Sequence, residues 1–162
     1  MVQLLVGVLS DSHDHLQNLK KALEVLQDEG AELIIHAGDY VAPFSVALLA
    51  QLSLPWYGVR GNNDGEVLGI FERSSGKISS LHLKIEEKGY RIWVSHYPQP
   101  AEAAFESAHF DLVVYGHTHQ AVIRENQGKL LVNPGEVCGL LSGKPTVAIC
   151  DLSKGVAKLI EI

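Results

Sequence analysis

Two histidines stand one residue apart, in His117-Thr118-His119, directly after an apolar run and a glycine that are typical of a strand end. In an extended or tightly turned backbone, side chains at positions i and i+2 point the same way, so both imidazoles are expected to face one site. Neutral imidazole is the commonest metal ligand among protein side chains. The pair therefore predicts a metal site, provided that other strand ends supply further ligands.

Other polar clusters meet that condition, because each follows a segment with the apolar pattern of a buried strand. Together with the histidine pair, the candidate ligands are Asp11, His13, Asp39, Asn62, His96, His117 and His119. Ligand sites in open α/β sheets form beyond the carboxyl ends of the strands, where residues distant in the chain meet. We therefore expect these side chains to gather at one rim.

The chemistry of these candidates indicates which metals they suit. All are nitrogen or oxygen ligands without a thiolate, a set that suits Mn²⁺, Fe or Zn²⁺ and is too rich in histidine for Ca²⁺ or Mg²⁺ alone. The set is too large for one catalytic ion with an open position, and it fits two ions about 3.5–4 Å apart that share a carboxylate. Two divalent ions would outweigh the charges of Asp11 and Asp39, and the site would attract phosphate.

The elements that must position these ligands change character along the chain. Buried strand patterns alternate with amphipathic helix patterns over residues 4–60, which indicates βαβ units. From Leu81 onward, short strands separated by turns predominate, with one helix predicted over residues 101–108. Residues 66–80 do not distinguish a loop from a short helix. The pattern fits an α/β fold of two mixed β-sheets packed face to face with helices outside.

Composition narrows the class of protein. The formal net charge of −6 argues against strong nucleic-acid binding. We see no signal-peptide pattern and no apolar run that approaches a membrane span. Cys138 and Cys150 match no zinc or redox spacing and are expected to be reduced, buried thiols. These features favour a cytoplasmic protein without membrane association, and they leave homo-oligomerisation open.

The polar clusters, in their order along the chain, resemble the signatures of the calcineurin-like metallophosphoesterases. The matching segments are Asp11-Ser12-His13, Gly38-Asp39, Gly61-Asn62-Asn63-Asp64, Ser95-His96 and Gly116-His117-Thr118-His119, with Val132-Asn133-Pro134-Gly135 as a further shared feature. At this length the chain is most similar to the small phosphodiesterases of the YfcE type. The length and the pattern of elements indicate a single domain over residues 1–162. The resemblance implies that it is folded as a four-layer α/β/β/α sandwich with a binuclear metal centre.

Carried over position by position, the resemblance also implies a ligand set for each ion. One ion would take Asp11, His13, Asp39 and His119, and the other would take Asp39, Asn62, His96 and His117. A metal-bridging hydroxide would attack the phosphorus of a small phosphodiester in line, without a phosphoenzyme. Manganese is the favoured metal, with iron, zinc and nickel as alternatives.

Asn63 and Asp64 are the candidate catalytic residues, and position 63 departs from the family pattern. Many members have a histidine there, which is interpreted as the proton donor to the leaving oxygen. Asn63 can donate a hydrogen bond but cannot act as a general acid near neutral pH, so we expect a preference for good leaving groups. Asp64 is expected to orient either a metal ligand or the residue at position 63. His36 is expected either to hydrogen-bond to a metal ligand on the side away from the metal or to be an ordinary core residue.

The sequence is also compatible with other functions. A phosphomonoesterase binds a dianion and would require cationic groups in addition to Arg60. Arg60 itself could either contact phosphate or face away from the site. The acidic charge opposes a nuclease of duplex DNA. A non-catalytic scaffold, like the retromer component of this fold, is disfavoured because the ligand set is complete. Tyr40 and Phe44 are either core residues or the lining of a pocket for an apolar leaving group.

Overall fold

The computed structural model describes residues 2–162, which form eleven strands and four helices. In chain order the elements are β1 (Leu5–Leu9), α1 (Leu16–Asp28), β2 (Leu33–His36), α2 (Pro43–Leu49), β3 (Trp56–Val59), α3 (Val67–Ser74), β4 (Ile78–Ser79), β5 (His82–Glu87), β6 (Tyr90–Ser95), α4 (Pro98–Glu106), β7 (Leu112–Val114), β8 (Val122–Asn126), β9 (Lys129–Asn133), β10 (Thr146–Asp151) and β11 (Val156–Glu161).

Both sheets are mixed. The first has the order β11-β10-β1-β2-β3-β4, in which β1 to β4 run parallel and the hairpin β10–β11 adds antiparallel beside β1. The second has the order β5-β6-β7-β9-β8, with a parallel centre of β6, β7 and β9 and antiparallel edges. The carboxyl ends of the parallel strands form one rim in each sheet, which is where the predicted ligands follow.

Apolar side chains alternate between the two faces of each sheet, as the period of a strand requires. On β1 and β2, Val6, Val8 and Ile35 point to the core between the sheets, where they meet Ile92 and Val114 of the second sheet. The opposite face of the first sheet packs on α1, α2 and α3. The outer face of the second sheet packs on α4. The predicted four-layer α/β/β/α sandwich is therefore confirmed.

Element boundaries differ from the prediction where proline and very short segments are involved. The helix expected over residues 101–108 begins at Pro98, because proline is tolerated in the first helical turn, where its missing N–H costs no hydrogen bond. The ambiguous segment 66–80 contains α3, whose first turn is capped by the side chain of Glu66, and the two-residue strand β4. None of the helices within residues 2–162 combines the length and the apolar character needed to cross a membrane.

Candidate metal centre

Both sheets contribute predicted ligands from the ends of their strands. Asp11 and His13 follow β1, Asp39 follows β2, Asn62 follows β3, His96 follows β6, and His117 and His119 follow β7. Contacts among these side chains show that the structure brings all of them together where the two rims meet. They form two adjacent groups.

The first group consists of Asp11, His13, Asp39 and His119, whose ligand atoms lie within 4.8 Å of one another. His13 Nε2 is 3.3 Å from Asp39 Oδ2, and His119 Nε2 is 3.4 Å from Asp11 Oδ1. Two of these atoms, Asp11 Oδ1 and His13 Nε2, are buried without a hydrogen-bond partner among residues 2–162. A buried polar atom without a partner is costly, and a cation between these atoms would satisfy them together. The residues present therefore fit a metal ion.

The charge of this group also favours a cation. The carboxylate of Asp11, 3.8 Å from His13 Nε2, raises the pKa of His13 above its ordinary value, and Asp39 adds to the effect against the opposing influence of burial. At 3.8 Å the interaction with Asp11 is electrostatic rather than a hydrogen bond. The same negative potential that raises the pKa of His13 would attract a divalent ion.

Asn62, His96 and His117 form the second group. Asn62 Oδ1 lies 2.9 Å from both His96 Nε2 and His117 Nδ1. His96 Nδ1 donates to the carbonyl of Ala37 at 2.7 Å, which directs Nε2 toward the oxygen of Asn62. His96 Nε2 also lies 3.5 Å from Asp39 Oδ1. Two imidazole nitrogens, the Asn62 oxygen and the Asp39 oxygen therefore face one another, and this nitrogen and oxygen donor set suits a second divalent ion.

Asp39 lies between the two groups and offers one oxygen to each. Its Oδ2 faces His13, and its Oδ1 faces His96. The histidine pair of the opening motif divides in the same way, with His119 in the first group and His117 in the second. The arrangement matches a pair of cation sites with a shared carboxylate.

Most of the candidate ligands have a backbone conformation that is rare for L-residues. Their positive φ angles are 52° for Asp11, 43° for His13, 63° for Asp39, 67° for His117 and 60° for His119. A non-glycine residue in this region costs about 1–3 kcal/mol and persists only where the surrounding structure holds it. Strained residues of this kind cluster at functional sites, which agrees with the placement of these side chains.

Asp64 is buried behind the ligand loops, where it accepts hydrogen bonds from three backbone amides. Its Oδ2 accepts from Asp39 N at 3.1 Å and from Gly61 N at 2.6 Å, and its Oδ1 accepts from Val41 N at 2.8 Å. These bonds join the loop after β2 to the loop after β3. Because both carboxylate oxygens are occupied, the structure favours a positioning role for Asp64 over contact with a substrate.

Asn63 is exposed and lies directly over the carboxylate of Asp39. Its backbone N–H donates to Asp39 Oδ1 at 2.8 Å, and its side-chain Nδ2 donates to Asp39 Oδ2 at 3.0 Å. The amide is thus at the open side of the site, where it can donate a hydrogen bond and cannot donate a titratable proton.

Glu136 is a site residue that the sequence analysis missed. It is fully buried, and His119 Nδ1 donates to its Oε2 at 2.5 Å. Burial by itself would raise the pKa of Glu136, but hydrogen bonds from His119 and Ser142 outweigh it and lower the pKa to about 2. The carboxylate therefore fixes the His119 ring so that Nε2 faces Asp11. The sequence did offer one indication of this role, because Glu136 directly follows the family segment Val132-Asn133-Pro134-Gly135.

Both cysteines are buried and free, as predicted. The Cys138 thiol donates to Glu136 Oε2 at 3.1 Å and so belongs to the surroundings of His119. Burial raises the pKa of each thiol to about 12, which keeps both protonated at neutral pH.

His36 lies beneath the ligand loops in the core. Gly38 N donates to its Nδ1 at 3.1 Å, so the ring proton is on Nε2, which donates to Ser12 Oγ at 2.9 Å. Burial lowers the pKa of His36 to about 3, so the ring is neutral near pH 7. The residue thereby ties the loop after β1 to the loop after β2.

The aromatic and cationic candidates lie at different places. Tyr40 is completely buried and stacks on His36 with ring centroids 4.0 Å apart, so the interpretation of Tyr40 as pocket lining is wrong. Phe44 is exposed on α2. Arg60 is exposed and lines a cavity beside Tyr97, next to the second group.

Comparison with known proteins agrees with this fold. Residues 4–155 match the calcineurin-like phosphoesterase superfamily domain. The chain is 37% identical over 155 residues to Phosphodiesterase MJ0936 from Methanocaldococcus jannaschii, which spans 92% of this chain and 93% of that protein. The solved structure of a novel archaeal phosphodiesterase superposes with a TM-score of 0.88 at 36% identity, covering 98% of this chain and 100% of the other.

A more distant structure shows how widely the fold is shared. The phosphoesterase YfcE from E. coli superposes with a TM-score of 0.70 at 19% identity, covering 98% of this chain and 100% of the other, a likeness that concerns the fold alone. The domain match and the 37% identity together establish the family. The chain belongs to the calcineurin-like phosphoesterase superfamily.

Proposed function

We propose that this protein is a binuclear-metal-dependent phosphodiesterase that hydrolyses small phosphodiesters. The observation that carries the proposal is the meeting of two ligand groups, with Asp39 between them and with buried ligand atoms that lack partners. The name of the relative that is 37% identical, a phosphodiesterase, supports the reaction class. The acidic net charge of −6 supports a small substrate rather than a long nucleic acid.

The ligand atoms define which residues would hold each ion. One ion would be held by Asp11, His13, Asp39 and His119, and the other by Asp39, Asn62, His96 and His117. When bound, two such ions supply an activated water nucleophile and neutralise charge that develops at phosphorus, and the bridging-hydroxide mechanism is part of this proposal. We favour manganese, with iron, zinc and nickel as alternatives, because nitrogen and oxygen ligands do not select sharply among these metals.

The remaining residues of the site position the ligands or contact the substrate. Glu136 orients His119, and Asp64 holds the loops that contain Asp39 and Gly61. Asn63, whose Nδ2 donates to Asp39 Oδ2, would donate its second amide hydrogen to a substrate oxygen. With an amide in this place, the alcohol leaves without a proton from residue 63, which favours alcohols that are stable as anions.

We also propose that residues 1–162, of which the structure describes 2–162, form a single domain that acts in the cytoplasm. The domain match over residues 4–155 supports a single domain, because it spans both sheets. The buried, unpaired cysteines support a reducing compartment.

The proposal is tested by metal content and turnover of wild type and Asp39→Asn. Reconstituted with excess Mn²⁺, the wild type is expected to bind about two ions and to hydrolyse bis(p-nitrophenyl) phosphate. Asp39→Asn should lose metal and all measurable turnover, because its carboxylate faces both groups. Asp28→Asn, a matched change at the exposed end of α1, should behave like wild type.

Two results would decide against this proposal. Wild-type turnover in Asp39→Asn would refute the shared-carboxylate assignment. A wild-type protein that retains no ion and cleaves no phosphodiester would make the non-catalytic scaffold the better interpretation.

A further inference from the structure

A cavity of about 440 Å³ opens beside the second ligand group. Residues that line it include Arg60, Gly61, Leu81, Ser95, Tyr97 and Pro100. Its volume is within the range of about 300–1,000 Å³ that is usual for small-molecule sites. The mechanism proposed above assigns no role to this space.

The cavity borders the candidate metal centre, because two backbone segments and one aromatic ring belong to the surroundings of both. Gly61 and Ser95, in its wall, directly precede the candidate ligands Asn62 and His96. The Tyr97 ring lies edge-on to His96, with centroids 5.2 Å apart, and to His117, at 4.9 Å. A phosphate held at the ligand groups would therefore place one of its ester arms beside Tyr97.

The walls of the cavity are apolar surfaces that remain accessible to a ligand. Leu81 is 76% exposed and Tyr97 is 43% exposed, and the two contribute to the same cavity. His82 also lines it and is held in place by stacking on Trp93, with centroids 4.5 Å apart and an interplanar angle of 11°. An aromatic face and an exposed leucine favour an aromatic or apolar group.

Arg60 gives the cavity its charge. Its side chain takes part in none of the ion pairs found within residues 2–162, and the lining residues include no carboxylate. Guanidinium groups bind carboxylate and phosphate oxygens through charge-assisted hydrogen bonds. The cavity is thus complementary to a group that is both aromatic and anionic.

We propose that this cavity binds one ester arm of the substrate, an aromatic arm that carries an additional anionic group. Tyr97 packs against the aromatic part, and Arg60 pairs with the anion. This inference rests on the proposed phosphodiesterase function and names the substrate class that the site selects. Because the protein is acidic overall, a preference for extra negative charge requires a local cation such as Arg60.

Three diesters with p-nitrophenol as a common leaving group test the inference. Their second arm is methyl, phenyl or 4-carboxyphenyl. For the wild type, kcat/KM is expected to rise from methyl to phenyl, and to rise by about three- to tenfold from phenyl to 4-carboxyphenyl, the range expected for one partly exposed charge-assisted pair. The added charge would lower kcat/KM if no cation contacted it.

Two cavity variants and one control separate the contributions. Arg60→Met should reduce the ratio of kcat/KM for 4-carboxyphenyl over phenyl to one or below, because no cation then contacts the added charge. Tyr97→Ala should reduce the ratio for phenyl over methyl. Arg91→Met removes an exposed arginine near the opposite end of β6 and should keep both wild-type ratios.

A binding measurement adds a readout that does not depend on turnover. Adding 4-carboxyphenyl phosphate to zinc-loaded protein should shift the NMR signals of the Leu81 methyl groups, and Arg60→Met should raise the concentration required. If wild type cleaves all three diesters with equal kcat/KM, and the Leu81 signals do not move, the cavity inference is overturned while the proposed function stands. If no diester is cleaved with any of the candidate metals, both are overturned.

Discussion

Single side chains at the rim divide into those that face the ligand groups and those that hold them there. His96 is oriented by the carbonyl of Ala37, and His119 is oriented by the carboxylate of Glu136. In each case the bond made by one ring nitrogen leaves the other nitrogen directed at the site. Asp64 positions the backbone in a comparable way, because its carboxylate accepts hydrogen bonds from the amides of Asp39 and Gly61.

Asn63 is expected to make the rate depend steeply on the leaving group. A plot of log kcat against leaving-group pKa should have a strongly negative slope for wild type, because residue 63 supplies no general acid. Asn63→His should flatten the slope by speeding the poorest leaving groups by about 10²-fold. Asn126→His, an exposed change at the end of β8, is the control. A shallow wild-type slope, with alkyl and aryl esters cleaved alike, would contradict the interpretation.

Glu136→Gln is expected to weaken metal binding without removing a ligand atom. The neutral amide no longer stabilises the orientation and basicity of His119, a loss that typically lowers metal affinity by about 10–100-fold. Titration calorimetry with Zn²⁺ measures the change. Glu106→Gln, at the exposed end of α4, should leave the affinity at the wild-type value. Equal affinity in Glu136→Gln and wild type would show that this carboxylate does not support the site.

At the scale of elements, backbone hydrogen bonds join the loops after β1 and β2, and the carboxylates of Asp39 and Asp64 join the loop after β2 to the loop after β3. Asp11 N donates to Gly38 O, and His13 N donates to Asp39 O, each at 3.0 Å. Glycine is required where these loops approach most closely. A Cβ added at Gly61 would overlap the carboxylate of Asp39 and lie 2.5 Å from its backbone nitrogen.

Gly61→Ala is therefore expected to displace the candidate ligands by crowding the loops that contain them. Relief of the overlap must displace either the Asp39 loop or the Asn62 loop, with a loss of about 1–3 kcal/mol in the free energy of unfolding. Urea unfolding and manganese content measure the two consequences. Gly65→Ala lies nearby in the sequence, and its added Cβ would have no atom of another described residue within 4 Å, so this variant should match wild type in both measurements. Similar behaviour of the two variants would rule out the crowding argument.

At the scale of the whole molecule, the candidate metal centre joins the two sheets. The first sheet supplies Asp11, His13, Asp39 and Asn62, and the second supplies His96, His117 and His119. Elsewhere the sheets are held together by the apolar core between them. Ions bound at the rim would thus add a second connection between the layers and would bind only the folded state.

Metal loading is therefore expected to raise the melting temperature. Free Mn²⁺ at about 100 times its dissociation constant stabilises the folded state by about 2.7 kcal/mol, which corresponds to a shift of about 5–10 °C for a chain of this size. Chelation should reverse the shift. The melting temperature of Asp39→Asn should rise little on addition of manganese, and that of Asp28→Asn should rise as much as that of wild type. Identical melting curves with and without manganese would contradict a metal link between the sheets.

The sequence by itself determined the layers of the fold and the residue types at the strand ends. Apolar runs such as Leu4–Leu9 and Leu33–Ala37 report local burial, and the polar residues that follow them are adjacent in the chain. The resemblance of the motifs proposed the same two ligand groups that the structure brings together. The start of α4 was less well predicted, because helix ends depend on single residues such as Pro98.

Only the tertiary structure decided the contacts between residues far apart in the chain. The connection from β9 in the second sheet to β10 in the first is bound to the loop after β1 by Val137 N and Cys138 N, and this holds Glu136 against His119. The cavity at Tyr97 forms because the ends of β3 and β6 lie close to the start of β5, although Arg60 and Tyr97 follow strands of different sheets. The pattern of apolar residues records whether a side chain is buried, but not which distant partner it meets, because that depends on the packing of all the layers at once.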